Sequence, residues 1–419
     1  MSEQPEPRRV QTLTAADLQA LDDLVAGADM AAPHDLAALF DDCATRLGGG
    51  AVVVYLVDLQ QLTLQPLLGP MTSGDHAAPA ALSVDATLAG RVYQTLQPQS
   101  QDRDDGHVQW WLPLVASAER LGVLTIDLPP GTPTGTDVLA RFAVTVAGLI
   151  WGKIPFGDTL VRLRRRAHLG LPAELQYSVL PPLSFASHAV TVAAALEPCY
   201  HVAGDAIDYS VDDGRTRIAI FDGMGHGLHS AQCAVFTVAA YRTARRGGQT
   251  LTESLLSIDE ALTDGLGGEV FTTAVLAELD TRTGILQWVN SGHPAPLLLR
   301  GGRLVRVLES VPRPPLGLGH LLDDHPAEVG YEQLQPDDLV LLYTDGVTEA
   351  RSPGGEFFGA DKLVDLVVRH LAGGLTAPET LRRVVRELLS HHEGQLTDDA
   401  TLLLLQWNGP PASREDIRA

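Results

Sequence analysis

Cysteine is scarce in this chain. There are three in 419 residues, Cys43, Cys199 and Cys233, and they lie far apart. That spacing fits neither a zinc motif nor a disulfide framework, so a reducing cytoplasm is the expected compartment. Basic residues are also in short supply: 30 against 52 acidic ones, a formal net charge of −22. This balance argues against a general binder of nucleic acid or of anionic membranes, and suits a protein that concentrates cations. Long apolar runs are missing too. The most hydrophobic stretch, Phe142 to Ile154, contains Gly and Lys and is too short to span a bilayer. Met1 to Arg9 is polar and Pro-rich, unlike a signal peptide. The sequence has no nucleophile elbow, Walker loop, kinase catalytic loop or phosphate-loop cysteine. Chemistry that depends on those devices is set aside.

What is present is enough apolar material, 45% of residues, for sizeable cores in two or three domains. Residues 1–29 read as a disordered or short helical N-terminus. From 30 to 153 the pattern is helix, strand pair, short helix, strand pair and long helix. Pro155-Phe156-Gly157 then breaks the chain, and 154–182 reads as a helical linker. It carries the basic run Arg162, Arg164, Arg165 and Arg166, and Leu171, Leu175 and Val179 at helical spacing. Residues 183–409 alternate hairpins with a few long helices, which argues for an α+β layered domain rather than parallel βαβ units. Residues 410–419 read as a disordered tail.

Within that last domain one stretch stands out, Phe221-Asp222-Gly223-Met224-Gly225-His226-Gly227. An alternating strand, Thr216 to Phe221, leads into it and an Ala-rich helix follows. Three more acidic sites recur beside strand ends: Asp205, Asp345 and the pair Asp398-Asp399. Carboxylates gathered at one sheet edge repel one another unless a cation neutralises them. Oxygen ligands without His or Cys favour Mg(II) or Mn(II) over zinc. Two such ions activate water and polarise a phosphoryl oxygen, which is phosphoester hydrolysis without a protein nucleophile. Asp208 reads as an outer ligand or a turn cap, and His293, beside Pro294, as a structural residue holding a turn.

From Ala173 to Trp407 the chain resembles the metal-dependent, PPM-type Ser/Thr protein phosphatases of the bacterial SpoIIE-like branch. The likeness rests on seven phrases in order: Ala173-Glu174-Leu175-Gln176 with Leu180-Pro181-Pro182; Ala203-Gly204-Asp205 with Asp208; Asp222 to Gly227; Ser291-Gly292-His293-Pro294 with Pro296-Leu297-Leu298; Pro315-Leu316-Gly317-Leu318; Tyr343 to Ala350; and Asp398-Asp399-Ala400-Thr401-Leu402. The resemblance implies an αββα sandwich with two Mn(II) or Mg(II) ions at one end. By position, Asp222 bridges both ions and the Gly223 carbonyl is a further ligand. Asp205 binds one ion, partly through water. Asp345 and Asp398 complete the other, and Asp399 stands behind them or takes the place of Asp398. Met224 occupies a place where eukaryotic members often carry a histidine. No phosphate-gripping arginine is identifiable, and Ala206-Ile207 replaces a more usual aromatic.

Residues 30–153 resemble a GAF domain, on the order of elements and the phrase Glu119-Arg120-Leu121-Gly122-Val123-Leu124. Such domains take small-molecule or protein inputs, or dimerise. A homodimer joined through the GAF-like domain and the linker helix is expected, in the cytoplasm that the cysteine usage points to. The expected substrate is a phosphorylated STAS-type anti-sigma-factor antagonist, with no nucleic acid or membrane partner. Two rivals stay open: a non-catalytic phosphoprotein-binding module of the same fold, and a two-metal hydrolase acting on a nucleotide.

Overall fold

A computed structural model describes residues 13–69, 79–132, 135–197, 204–225, 227–267, 270–319, 327–392, 396 and 398–410. The expected disorder at residues 1–12 and 411–419 falls outside these, as do Cys199 and His226. The chain divides into two compact units, residues 1–166 and 167–419.

The first unit runs α1 (Ala15–Met30), α2 (Leu36–Arg46), β1 (Val52–Val57), β2 (Thr63–Leu67), β3 (Leu82–Ser83), α3 (Leu88–Thr95), β4 (Gln99–Asp102), β5 (Val108–Ala116), β6 (Glu119–Leu128), α4 (Thr136–Lys153) and α5 (Asp158–Leu163). Its six strands form one antiparallel sheet in the order β3-β2-β1-β6-β5-β4. One face packs on α1, α2 and α4 through Leu24, Phe40, Leu114, Phe142 and Val146. The other holds α3 against Tyr55, Val57 and Val123. The helix over Thr136–Phe156 is the one among the described residues long and apolar enough to cross a membrane. It exceeds the Phe142–Ile154 run because helical residues continue back to Thr136, and Val138, Phe142, Val146 and Ile150 on one side are core. The β1–β2 turn holds the end of the unit. Asp58 is buried, accepts the Leu62 and Thr63 amides at 2.9 and 3.0 Å, and lies 3.7 Å from Arg166.

The second unit runs α6 (Leu171–Val179), β7 (Ser184–Ala186), β8 (Val190–Glu197), β9 (Asp205–Asp212), β10 (Arg215–Gly223), α7 (Leu228–Arg246), α8 (Leu251–Leu266), β11 (Thr272–Asp280), β12 (Ile285–Ser291), β13 (Leu297–Arg300), β14 (Arg303–Val307), β15 (Gly330–Gln333), β16 (Leu339–Tyr343), α9 (Asp345–Thr348), α10 (Ala360–Ala372), α11 (Ala377–His391) and β17 (Ala400–Trp407). Two antiparallel sheets form, β15-β12-β11-β10-β9 and β14-β13-β16-β17-β8-β7. Side-chain parity explains how they stack. Ile207, Ile218, Ile220, Val275, Leu342, Leu403 and Leu405 meet in a core between the sheets. The alternate residues Ala206, Ala219 and Phe221 face α7 and α8. Leu341, Leu402 and Leu404 face α10 and α11. Four layers result, helix, sheet, sheet, helix, as a domain whose strands are apolar on both faces requires.

The expected linker does not stay in one piece. Its first part, α5, belongs to the first unit, and α6 belongs to the second. The buried face of α6 also differs from the Leu171–Leu175–Val179 seam. Leu171 is exposed, while Ala173 and Gln176 are buried. Gln176 can turn inward because its amide finds a partner, the Asp205 carbonyl, at 2.6 Å.

Candidate metal centre

Strand parity carries on past the apolar core and decides where the acidic residues point. Asp222 shares its side of β10 with Ile218 and Ile220, and Asp205 shares its side of β9 with Ile207. Both therefore stand at the end of the layer between the sheets. They are direct cross-strand partners. Two like charges in that relation are destabilising unless something neutralises them.

Glycine lets the two strand ends close up. The Gly223 amide donates to the Gly204 carbonyl at 2.9 Å. A Cβ on Gly204 would sit 3.0 Å from the Gly223 carbonyl oxygen, and one on Gly223 would sit 3.1 Å from that of Gly204. The facing sheet supplies the other carboxylates. Asp345 opens the four-residue α9 directly after Thr344, and Asp398-Asp399 lead into β17. Gly346 is needed for that approach, since a Cβ there would meet the Asp399 carbonyl oxygen at 1.9 Å. Asp399 reaches across the sheets. Its Oδ2 accepts the Gly204 amide at 2.5 Å and the Asp205 amide at 3.3 Å. Asp398 Oδ1 in turn accepts the Asp399 amide at 2.9 Å.

The electrostatics follow from this crowding. Burial, then the charges of Asp399 and Asp222, push the Asp205 carboxyl well above the usual range. Asp222 is pushed up to about 7 by burial and by Asp345, Asp398 and Asp399. Asp399 rises to about 6, mainly through burial, against two amides that favour its charged form. Burial, Asp398 and Glu349 raise Asp345. The five carboxylates thus share one field. Among the described residues, however, no three His, Cys, Asp or Glu side chains are drawn together tightly enough to form a metal-binding group.

The donor set still suits a hard cation. It is all oxygen, it combines buried and open carboxylates, and a nearby positive charge would offset the burial and repulsion that raise Asp205, Asp222, Asp345 and Asp399. Asp205 and Asp399 are buried, Asp222 is half-buried, and Asp345 and Asp398 are exposed at the rim. The Gly223 backbone is shared between the Gly204 contact and the β10–β11 ladder, where Asp222 faces Thr273 and Gly223 faces Thr272.

Other expected residues sort differently. Asp208 is neither an outer ligand nor a turn cap. Opposite parity turns it to the helix side of β9, where Arg242 Nη2 at 2.7 Å and Arg245 Nη2 at 2.9 Å grip it. Arg242 also donates to the Val179 carbonyl at 2.6 Å, tying the end of α6 to this pair. An acidic residue followed some 35 positions later by two arginines one helical turn apart carried the only sequence signal for this. His293 Nδ1 lies 2.7 Å from the Thr273 hydroxyl, and Asn290 bonds the His293 backbone at both ends. Burial drives its imidazole down to about 3, so it is neutral, as a turn-holding residue can be. Cys233 is buried and packs its thiol 2.9 Å from the Thr272 hydroxyl.

Comparison with known proteins bears on this geometry. Residues 212–408 match the family model for stage II sporulation protein E (SpoIIE). Protein IcfG of Synechocystis sp. is 27% identical over 161 residues, 38% of this chain and 24% of that protein. Phosphoserine phosphatase RsbU of Bacillus subtilis is 24% identical over 242 residues, 58% of this chain and 70% of its own length. Among solved structures, the RsbU and RsbW domains of Rv1364c from Mycobacterium tuberculosis align at 26% identity with a TM-score of 0.47, covering 54% of this chain and 63% of that one. This chain thus spans about a quarter of the first relative and over two thirds of the second. The family match covers the strands and loops that bear Asp222, Asp345, Asp398 and Asp399.

Proposed function

We propose that this chain hydrolyses phosphoserine or phosphothreonine on a protein, using two Mn(II) or Mg(II) ions. The observation that carries the reading is the cross-strand pair Asp205–Asp222, set at the end of the inter-sheet layer and faced by Asp345, Asp398 and Asp399. Asp222 would serve both ions and the Gly223 carbonyl would be a further ligand, with Asp205 on one ion and Asp345 with Asp398 on the other. Bound there, the ions would lower the pKa of water and polarise the phosphoryl group. Asp399 has a separate task, holding the Gly204–Asp205 backbone in place. Two relatives named as phosphoserine phosphatases, RsbU and RsbP, support a phosphoprotein substrate. By that likeness it would be a phosphorylated STAS-type anti-sigma-factor antagonist. A panel of phosphoserine peptide, nucleotide and cyclic dinucleotide under Mn(II) tests the choice, and preference for either nucleotide would reject it.

The first unit would act as a GAF-like sensor. Its single antiparallel sheet between unequal helical layers supports that reading. Leu18 and Val25, seven residues apart on α1, and Val144 on α4 leave apolar side chains exposed, which suits a homodimer contact. Control would pass through the 154–182 segment. Gln176 touches the Asp205 backbone, so a shift of α6 would move that carboxylate relative to the others. The free thiols of Cys43 and Cys233 fit the cytoplasm as its place.

A further inference from the structure

Thr344 is fully buried and immediately precedes Asp345. Its hydroxyl accepts the Thr401 amide at 2.9 Å and donates to Asp205 Oδ2 at 2.8 Å. The Thr344 amide donates to the Thr401 carbonyl at 3.1 Å. A hydroxyl has a single hydrogen. With the Thr401 amide already occupying a lone pair, that hydrogen goes to a carboxylate. The Asp399 carbonyl, at 3.5 Å, is the weaker alternative acceptor. Asp205 starts β9 in one sheet, while Thr344 and Thr401 belong to the end of β16 and to β17 in the other. This is therefore a bond between sheets, made beside the carboxylates themselves.

We infer that Thr344 is a positioning residue for the metal centre, and the inference rests on the two-ion reading above. The hydroxyl engages Oδ2 of Asp205, which leaves Oδ1 to face an ion and fixes the rotation of the carboxylate. The same dipeptide presents Asp345 from the facing sheet. Thr344-Asp345 thus sets two carboxylates from different sheets against one another. A bland alternative is that the hydroxyl only satisfies a buried amide. The two differ in what removing it does to ion affinity.

The test is calorimetric Mn(II) titration of the full chain, of Thr344→Val and of Thr344→Ser, well below their melting temperatures. Losing a hydrogen bond behind a metal ligand typically costs tenfold or more in affinity, so Thr344→Val should bind one ion about tenfold more weakly. Thr344→Ser keeps the hydroxyl and should bind within about threefold of the parent. The Mn(II) concentration for half-maximal hydrolysis should rise in the valine variant, with kcat at saturating metal retained. Equal affinity in Thr344→Val and the parent overturns the inference, as does a serine variant as weak as valine. If the valine variant does not fold, Thr344→Cys, with its poorer donor, replaces it under the same criteria. A parent that binds no Mn(II) defeats the two-ion reading and this inference together. A parent that binds while valine makes no difference defeats this inference alone.

Discussion

Two aspartates three positions apart on β9 show how a single step in parity separates roles. Asp205 faces the inter-sheet layer and its fellow carboxylates, while Asp208 faces α7 and two arginines. Asp208→Ala would leave both guanidinium groups in a largely buried site without their anion. We expect a loss of about 3–5 kcal/mol in denaturant unfolding, with Mn(II) affinity unchanged. A large loss of metal affinity at preserved stability would return Asp208 to the ligand set. Gly346→Ala should be costly for a different reason. Its Cβ would collide with backbone, the Asp399 carbonyl oxygen at 1.9 Å, and not with a side chain free to swing away. A destabilisation of about 2–4 kcal/mol is expected from that overpacking, together with weakened metal binding. Normal stability and normal metal binding would show that the Asp345–Asp399 approach is looser than described.

The raised carboxylates also set a pH dependence. Asp222 titrates near 3.8 when unperturbed and is pushed to about 7 in the fold, so the folded chain holds that proton where the unfolded chain has released it. Asp205 and Asp399 shift in the same direction. Without metal, stability should therefore fall as pH rises from about 4 to about 7, then level off. Thermal melts in chelator across that window should show the decline, and Asp222→Asn should flatten it. Saturating Mn(II) should remove it, because the ions bind the deprotonated groups. Melting temperatures in chelator that rise through the same window would contradict the crowding of these charges.

At the scale of elements, the central strand was plain in the sequence. Thr216 to Phe221 alternates, and both sets of its side chains are buried, one between the sheets and one under helices. The turn chemistry after it marked Asp222, and the glycine-flanked strand ends marked Asp205 and Asp345. What the sequence did not disclose were partnerships set by folding. Gln176 lies off the Leu171–Leu175–Val179 spacing, yet it is buried because a carbonyl from β9 receives its amide. Asp399 looked like a spare neighbour of Asp398, and its amide contacts come from residues nearly 200 positions earlier. Thr344 gave no signal at all, since a threonine before a helix is ordinarily just a cap. Its side chain makes no cap bond to α9, which leaves the hydroxyl for Asp205.

At the scale of the whole molecule, two separately cored units share one chain, and their boundary lies inside the expected linker. Asp58 holds Arg166 at the end of the first unit, and Gln176, ten residues later, contacts the Asp205 backbone in the second. Little chain lies between those two contacts. Residues 167–419 alone should therefore differ from the full chain in phosphopeptide turnover under Mn(II), by about tenfold or more if coupling is of ordinary size. Equal turnover and equal metal affinity would remove linker control while leaving the chemistry intact.

That chemistry is tested most directly by Mn(II)-dependent hydrolysis of a phosphoserine peptide, measured for the full chain and for Asp222→Asn side by side. The full chain should require the metal, and the variant should lose about a thousandfold or more in kcat/KM at any Mn(II) concentration, since the carboxylate proposed to serve both ions is gone. Hydrolysis that persists in chelator, or an asparagine variant as active as its parent, would contradict a two-ion centre built on Asp222.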